Sequence, residues 1–231
     1  MTAAERPTST EIRTNFKTIR QLVTDELRKL LLTGSFKPGE KLDENELANL
    51  LGVSRQPIRL ALRQLTSEGL VEAQPYKGAV VVRLTAEDIE DIYDLRVSLE
   101  GQAAQLAVTA ITPEHCARLK RFVEEMAEAA QRGDYASFHQ LNNAFHLALY
   151  ETCNRKRLFQ IVRDLRAQSA LAMNTYLLFP SAANRALREH EQILAACERH
   201  DADEAERLTR EHLGRTARVL LDLVRGEPSK E

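Results

Sequence analysis

Apolar positions in the first third of the chain recur at helical spacing and then change to the pattern of strands. Ile19, Val23, Leu27 and Leu30 or Leu31 make one apolar stripe, which predicts a helix over residues 16–32, ended by Gly34 and followed by a turn at Lys37-Pro38-Gly39. From Leu42 to Val71 the pattern predicts two shorter helices joined by a tight turn. Leu47, Ala48 and Leu51 form the apolar face of the first, and Gly52 permits the left-handed backbone that ends it. Ser54 stands where a cap for the next helix belongs, and Pro57 falls in that helix's first turn, where proline is tolerated. Ile58, Ala61, Leu62 and Leu65 give the second helix its buried back. A β stretch begins at Leu70-Val71, Pro75-Tyr76-Lys77-Gly78 reads as a turn, and Ala79 to Val82 is a β-branched strand, so a hairpin follows with Lys77 and Gly78 at its tip.

Beyond a short linker at Arg83 to Thr85 the periodicity is helical throughout. Thr85 with Asp88 starts a helix in capping-box fashion, Thr112-Pro113 starts another, and breaks follow at Gly133-Asp134, Cys153-Asn154, Pro180-Ser181 and His200-Asp201. Six helices are predicted, near 85–110, 112–132, 134–153, 155–178, 181–199 and 202–225, and their short connections favour an antiparallel bundle. The expected fold is mainly α: a winged helix-turn-helix of three helices and a small β-hairpin wing, then an all-α six-helix bundle. The expected organisation is a mobile tail over 1–15, the winged domain over 16–83, the helical domain over 84–226 and a tail over 227–231.

Composition adds a charge asymmetry. Residues 16–83 hold 11 Lys/Arg against 8 Asp/Glu, whereas residues 84–231 hold 19 against 24. The basic excess falls where a duplex would be held, although it is small. No apolar run approaches the roughly 20 residues of a membrane span, and the N-terminus lacks an apolar signal region. Cys116, Cys153 and Cys197 are widely spaced and odd in number, which fits reduced thiols in a cytoplasm.

The helix beginning after Ser54 divides by face. Arg55 and Arg59 are four apart, Arg63 extends their row, and Gln56 lies beside it. A short helix with an apolar back and arginines at its N-terminal end suits the major groove, because arginine can donate two parallel hydrogen bonds to guanine. The bland alternative is a helical hairpin with solvated arginines, and the wing weighs against it. Residues 31–82 resemble the DNA-binding domain of the GntR superfamily of bacterial regulators. Gly34, Pro38-Gly39, Lys41-Leu42, Glu46-Leu47-Ala48, Leu51-Gly52-Val53-Ser54-Arg55, Pro57, Arg59, Ala61-Leu62, Leu65, Glu68-Gly69-Leu70-Val71 and Gly78 carry the likeness. Asn45 stands where that family often has a basic residue.

In the helical part, polar residues interrupt apolar stripes. Arg96 lies on the line Ile89, Ile92, Arg96, Leu99, Ala103, Leu106. A buried guanidinium needs an anion. Asp91, Asp94 and Glu100 are internal candidates, and the carboxylate of a bound small acid is the other. His146 projects from the same face as Asn142; His190 lies with Leu187, Leu194 and Cys197, and His212 with Ala205, Leu208, Thr216 and Val219. One inward histidine is usually a satisfied core residue, whereas three that converge suit a divalent transition metal. His115, His139 and His200 read as solvated. Residues 85–225 resemble the FCD-type effector domain of FadR-like regulators, many of which hold a metal with one acidic residue and three histidines. Asn142-Asn143-Ala144-Phe145-His146, Glu189-His190 and His212-Leu213 follow that order, with Asn142 in place of the usual aspartate. The resemblance implies zinc or nickel on Asn142, His146, His190 and His212, with Arg96 anchoring an effector.

The function expected is therefore a homodimeric DNA-binding transcription regulator, acting as a repressor on a palindromic operator and controlled by a small organic acid. Arg55, Gln56, Arg59 and Arg63 would meet bases or phosphates, with Lys77 and Gly78 on the wing. The alternatives are a metal-dependent hydrolase with a vestigial DNA-binding domain, against which no inward stripe sets a glutamate beside the histidines, and a helical interaction protein without a small ligand.

Overall fold

In the computed structural model the described residues are 18–176 and 180–226, with only the helical backbone described for 172–176, 180 and 181. The expected tails over 1–15 and 227–231, and the expected helix start at Phe16, lie outside the described residues. Three helices, α1 (Ile19–Leu32), α2 (Glu44–Leu51) and α3 (Arg55–Ser67), precede the antiparallel pair β1 (Val71–Gln74) and β2 (Gly78–Val81). Six further helices follow: α4 (Ala86–Ala110), α5 (Pro113–Gln131), α6 (Tyr135–Glu151), α7 (Lys156–Tyr176), α8 (Pro180–Glu198) and α9 (Ala202–Arg225). The fold is the expected winged helix-turn-helix followed by a helical domain.

The helix starts follow local chemistry. Thr85 and Asp88 form a reciprocal capping box at α4, and Thr112 begins α5 with Pro113 behind it. Gly52 ends α2 at φ 63°, in the left-handed region. Ser54 departs from expectation: it occupies the N-cap position of α3, but its hydroxyl makes no capping hydrogen bond. The third helical residue is Pro57, which has no N–H to offer. The hairpin tip also differs. Gly78 pairs with Gln74 inside the sheet, so Pro75, Tyr76 and Lys77 form the turn, and Tyr76 is fully exposed at φ 66°.

Two apolar cores form. One gathers Val23, Leu27, Leu31, Leu47, Ile58, Leu65, Leu70 and Val81 from the winged part. The other gathers residues of α4 to α9, including Ile89, Tyr93, Met126, Phe138, Phe145, Ile193 and Leu213. On α4 the buried line is Ile89, Tyr93, Arg96, Glu100, Ala103 and Ala107, while Ile92, Leu99 and Leu106 are only half-buried, so the inward face is rotated from the expected stripe. Helix α4 packs along α9, α5 against α6 and α8, and α7 against α4.

The two parts touch through α7. Leu171 lies in the core of the winged part, with Ala167 packed beside it. The Gln168 amide donates to the Glu68 carbonyl at 3.1 Å, where the chain turns out of α3. Gly69 there has φ 74°, and a Cβ on it would meet the Gln168 amide nitrogen at 2.9 Å. Among the described residues no helix is long and apolar enough to cross a membrane.

Candidate nucleic-acid interface and metal centre

On α3 the sequence divides the faces as expected. Ile58, Ala61, Leu62 and Leu65 are buried, while Arg55, Gln56, Arg59 and Arg63 are exposed on the outside. Lys77 and Gly78 are exposed on the wing. The helix thus presents a polar, arginine-bearing surface on a packed apolar back, as a groove-reading helix must. One feature was not expected from sequence: Glu44, the first residue of α2, accepts hydrogen bonds from both Arg55 and Arg59. Arginines on a solvated face need no partner, so periodicity gives no signal for it.

The inward polar residues of the helical part converge. His146 from α6, His190 from α8 and His212 from α9 are all buried, and one nitrogen from each lies within 4.8 Å of the others. Each ring has its Nδ1 engaged. His146 Nδ1 lies 3.0 Å from the Tyr150 hydroxyl, which also hydrogen-bonds Glu100. His190 Nδ1 lies 2.5 Å from the Ala186 carbonyl, and His212 Nδ1 lies 2.6 Å from Glu189 Oε2. A carbonyl or carboxylate can only accept, so the Nδ1 of His190 and His212 each carry the proton. The Tyr150 hydroxyl, if it donates to Glu100, accepts from His146 in the same way. The lone pairs then sit on the three Nε2 atoms. His146 Nε2 and His190 Nε2 are 3.1 Å apart. Two lone pairs facing each other at that distance repel, a conflict that a cation held by these histidines would remove. Burial holds the His146 and His190 imidazoles well below the usual histidine range, so both are neutral. Partners on the second ring nitrogen are what fix metal-binding histidines in place.

Arg96 sits beside this cluster. Its Nε donates to Glu100 Oε1 at 2.6 Å and its Nη1 to Ser169 at 2.8 Å, with Tyr93 stacked under the guanidinium at 4.5 Å. Glu100 is therefore the internal carboxylate. Asp91 and Asp94 are exposed. A second arginine, Arg166 from α7, holds the other Glu100 oxygen at 2.6 Å and donates to Asn143 at 3.0 Å. Burial alone would push the Glu100 carboxyl up, but the guanidiniums of Arg166 and Arg96 outweigh it and leave the group below its usual range.

Arg96, Arg166, Asn142, His146, His212 and Glu189 line one cavity of about 40 Å³, room for a few waters. Its lining holds four arginines, Arg96, Arg166, Arg185 and Arg215, against the single carboxylate of Glu189. Among the described residues, four buried polar side-chain atoms lack a hydrogen-bond partner, and three of them, Tyr93 OH, His139 Nδ1 and Asn142 Oδ1, belong to residues of this lining. Unmet buried polar atoms each cost about 1–3 kcal/mol, so three at one hollow leave hydrogen-bonding capacity facing it that water or a ligand could meet.

Three expectations change here. His139 is not solvated: its Nδ1 is buried, and burial with the nearby Arg166 and Arg96 charges lowers its pKa to about 4. His115 closes the cap of α5 through Nδ1, 3.2 Å from the Thr112 N–H. A glutamate does stand beside the histidines, since Glu189 faces α9 from the position just before His190. Arg166 was missed in sequence, and Glu189 was named there only within the Glu189-His190 pair, with no role of its own. Arg166 was detectable, because it follows Val162 by four residues and precedes Ser169 by three on the buried side of α7.

The wall formed by His139, Asn143, Arg166 and Ala170 is shared with a larger cleft of about 610 Å³, which is bounded on its far side by Asp25, Arg28, Lys29 and Leu32 of α1. The same side chains thus border both the cavity and a cleft that residues of the winged part also line.

Comparison with known proteins agrees with this architecture. Residues 19–81 match the bacterial regulatory proteins of the gntR family, and residues 91–215 match the FCD domain. The chain is 30% identical over 182 residues to the HTH-type transcriptional regulator YdhC of Bacillus subtilis, covering 78% of this chain and 81% of that one. It is 26% identical over 197 residues to the HTH-type transcriptional repressor RspR of Escherichia coli, covering 84% and 86%. The solved structure of E. coli McbR superposes with a TM-score of 0.83 at 25% identity, covering 90% of this chain and 99% of that one.

Proposed function

Because the chain belongs to the GntR family of DNA-binding transcription regulators and carries an FCD domain, we propose that a small organic acid, bound with a divalent metal in the arginine-lined cavity, sets its grip on DNA. The relatives named above are transcription regulators, which gives the hydrolase alternative no support. The observation that carries the proposal is the convergence of His146, His190 and His212 beside a hollow that His146 and His212 line together with four arginines and three residues bearing unpartnered polar atoms.

In this reading His146, His190 and His212 hold zinc or nickel through Nε2. The 3.1 Å separation of two of these atoms is close to the roughly 3.3 Å between imidazole nitrogens on one tetrahedral ion. Asn142 Oδ1, which has no partner, would be the fourth protein ligand in the place of a carboxylate. A neutral amide leaves one more unit of positive charge at the site, which favours an anionic effector. Arg96 and Arg166 would grip that anion at the cost of their shared hold on Glu100, and Tyr93 and His139 would meet its remaining polar atoms.

Arg55, Gln56, Arg59 and Arg63 would meet bases and phosphates in the major groove, and Lys77 and Gly78 would approach the backbone from the wing. Two chains would bind the two halves of a palindrome, since operator symmetry mirrors the symmetry of a dimer. Repression is the favoured sign, as in the relative named a repressor. The effector can act only through different affinities for two arrangements of the winged domains. Helix α7 is the natural carrier, because Arg166 faces the cavity, while Gln168 and Leu171 hold the winged part.

Two measurements on purified protein test this reading. Elemental analysis should find about one transition metal per chain in the wild type and none in His190→Ala; absence of metal from both ends the metal part. A thermal-shift screen of organic acids should find one that stabilises the wild type and does not stabilise Arg96→Ala relative to that variant's own baseline. A panel without any stabilising acid would count against the effector part.

A further inference from the structure

Glu44 directly follows Asp43, whose side chain caps α2, and its carboxylate reaches across to α3. Oε1 accepts from Arg59 Nε at 3.1 Å, and Oε2 accepts from Arg59 Nη2 at 2.9 Å and from Arg55 Nη2 at 3.3 Å. The Arg59 hydrogen bond holds the Glu44 carboxyl below its usual range, so it is ionised at neutral pH. All three side chains remain open to solvent: 58% for Arg55, 51% for Arg59 and 27% for Glu44. On the proposed reading, in which this face of α3 meets DNA, a negative charge there weakens attraction to any duplex, so its presence calls for a compensating use.

The geometry supplies one. A guanidinium offers two forks of paired N–H groups, one along its Nε/Nη2 edge and one at its Nη1/Nη2 end. Glu44 occupies the edge fork of Arg59. The end fork stays open, and its two parallel N–H groups are the pair that matches O6 and N7 of guanine. The same carboxylate ties Arg55 to Arg59, so two long side chains share one anchor on a neighbouring helix. An arginine held in this way has lost rotamer freedom before DNA arrives, and it is less able to swing onto the nearest phosphate.

We propose that Glu44 is a positioning residue for sequence reading, which braces Arg59 and Arg55 for base edges and opposes their collapse onto the phosphate backbone. It thereby trades total affinity for specificity. This differs from a plain surface ion pair, which would contribute little, and from a plain countercharge, which would weaken all duplexes alike.

The test uses the full-length chain in fluorescence anisotropy with two probes: a duplex that the wild type selects from a randomised pool, and a shuffled duplex of the same length and composition. Glu44→Asp keeps the charge but shortens the reach by one methylene. It should lower the ratio of selected to shuffled affinity about tenfold, within what one bidentate base contact contributes, and leave shuffled affinity within about twofold of wild type. Glu44→Gln removes the charge and should also raise affinity for the shuffled duplex severalfold, with a steeper salt dependence. In an Arg59→Ala background, Glu44→Asp should have little further effect on the ratio. Thermal melts of every variant guard against a folding defect, and should Glu44→Gln not fold, the Glu44→Asp comparison decides alone. The proposal is overturned if the ratio stays within twofold in Glu44→Asp, if both duplexes shift by a common factor, or if the effect persists in full without Arg59.

Discussion

Replacing Glu100 by glutamine removes one charge and almost no volume from a site where two guanidiniums converge on one carboxylate. Arg96 and Arg166 each bond a different Glu100 oxygen at 2.6 Å, and the carboxylate is fully buried. With the charge gone, two buried cations face each other with no anion between them. Breaking a buried ion pair from one side costs about 3–5 kcal/mol, chiefly because the partner is left charged and desolvated. Here two partners are stranded, which points to the upper part of that range, while the retained bonds to Ser169 and Asn143 soften it. Against a typical total stability of about 5–15 kcal/mol the loss is large. For a chain of this size it corresponds to a fall in Tm of about 10 °C or more.

Thermal and urea unfolding of wild type and Glu100→Gln at pH 7 measure the effect. The pH dependence supplies an internal check. The folded Glu100 carboxyl lies below its usual range, so its contribution is complete above the unfolded value near 4.3 and is lost as pH falls through the lower folded value. The gap between wild type and variant should therefore be constant from pH 8 to pH 5 and close only under stronger acid. A difference below about 1 kcal/mol at pH 7 would refute the claim that this triad is held together by its charge.

Further expectations can be checked directly. Arg59→Ala should keep the wild-type melt, since its side chain is half exposed, and lose retention of a selected duplex in gel retardation; unchanged retention would remove Arg59 from the reading surface. A strong chelator should lower the Tm of wild type and leave His190→Ala unmoved, because a ligand held only by the folded state adds about 2.7 kcal/mol at a hundredfold excess over its Kd. Gly69→Ala should lose about 1–2 kcal/mol, from a Cβ at φ 74°, and loosen the Gln168 seat beside it; hydrogen exchange at the start of β1 would report the loosening, and unaltered exchange would argue against it.

What was legible in the sequence follows from what periodicity records. The helix starts at Thr85 and Thr112 and the break at Gly52 were readable, because caps and left-handed turns are local. Arg96, His146, His190 and His212 stood out because a polar residue on an apolar line is a contradiction that only burial with partners resolves. Their convergence was not readable, since it depends on how three helices pack. Glu189, though part of the Glu189-His190 pair, received no role because it precedes His190 directly, and adjacent helical residues point about 100° apart. It nonetheless reaches His212, because α9 lies across that other face. His139 reads as solvated from its place near a helix end or outer face, whereas in the structure it lines the cavity together with Arg166, Ser169 and Ala170 of α7. Glu44 left no trace, because its partners lie 11 and 15 residues away on an exposed surface.

The central claim is that occupancy of the histidine and arginine cavity changes the hold on DNA. It is tested most directly by titrating the metal-loaded full-length chain, bound to its selected duplex, with an organic acid already shown to stabilise it. The account predicts a change of about 5- to 150-fold in duplex affinity, the usual span of coupling between two sites, and no change in His190→Ala or Arg96→Ala. An acid that saturates the wild-type cavity and leaves duplex affinity where it was would contradict it.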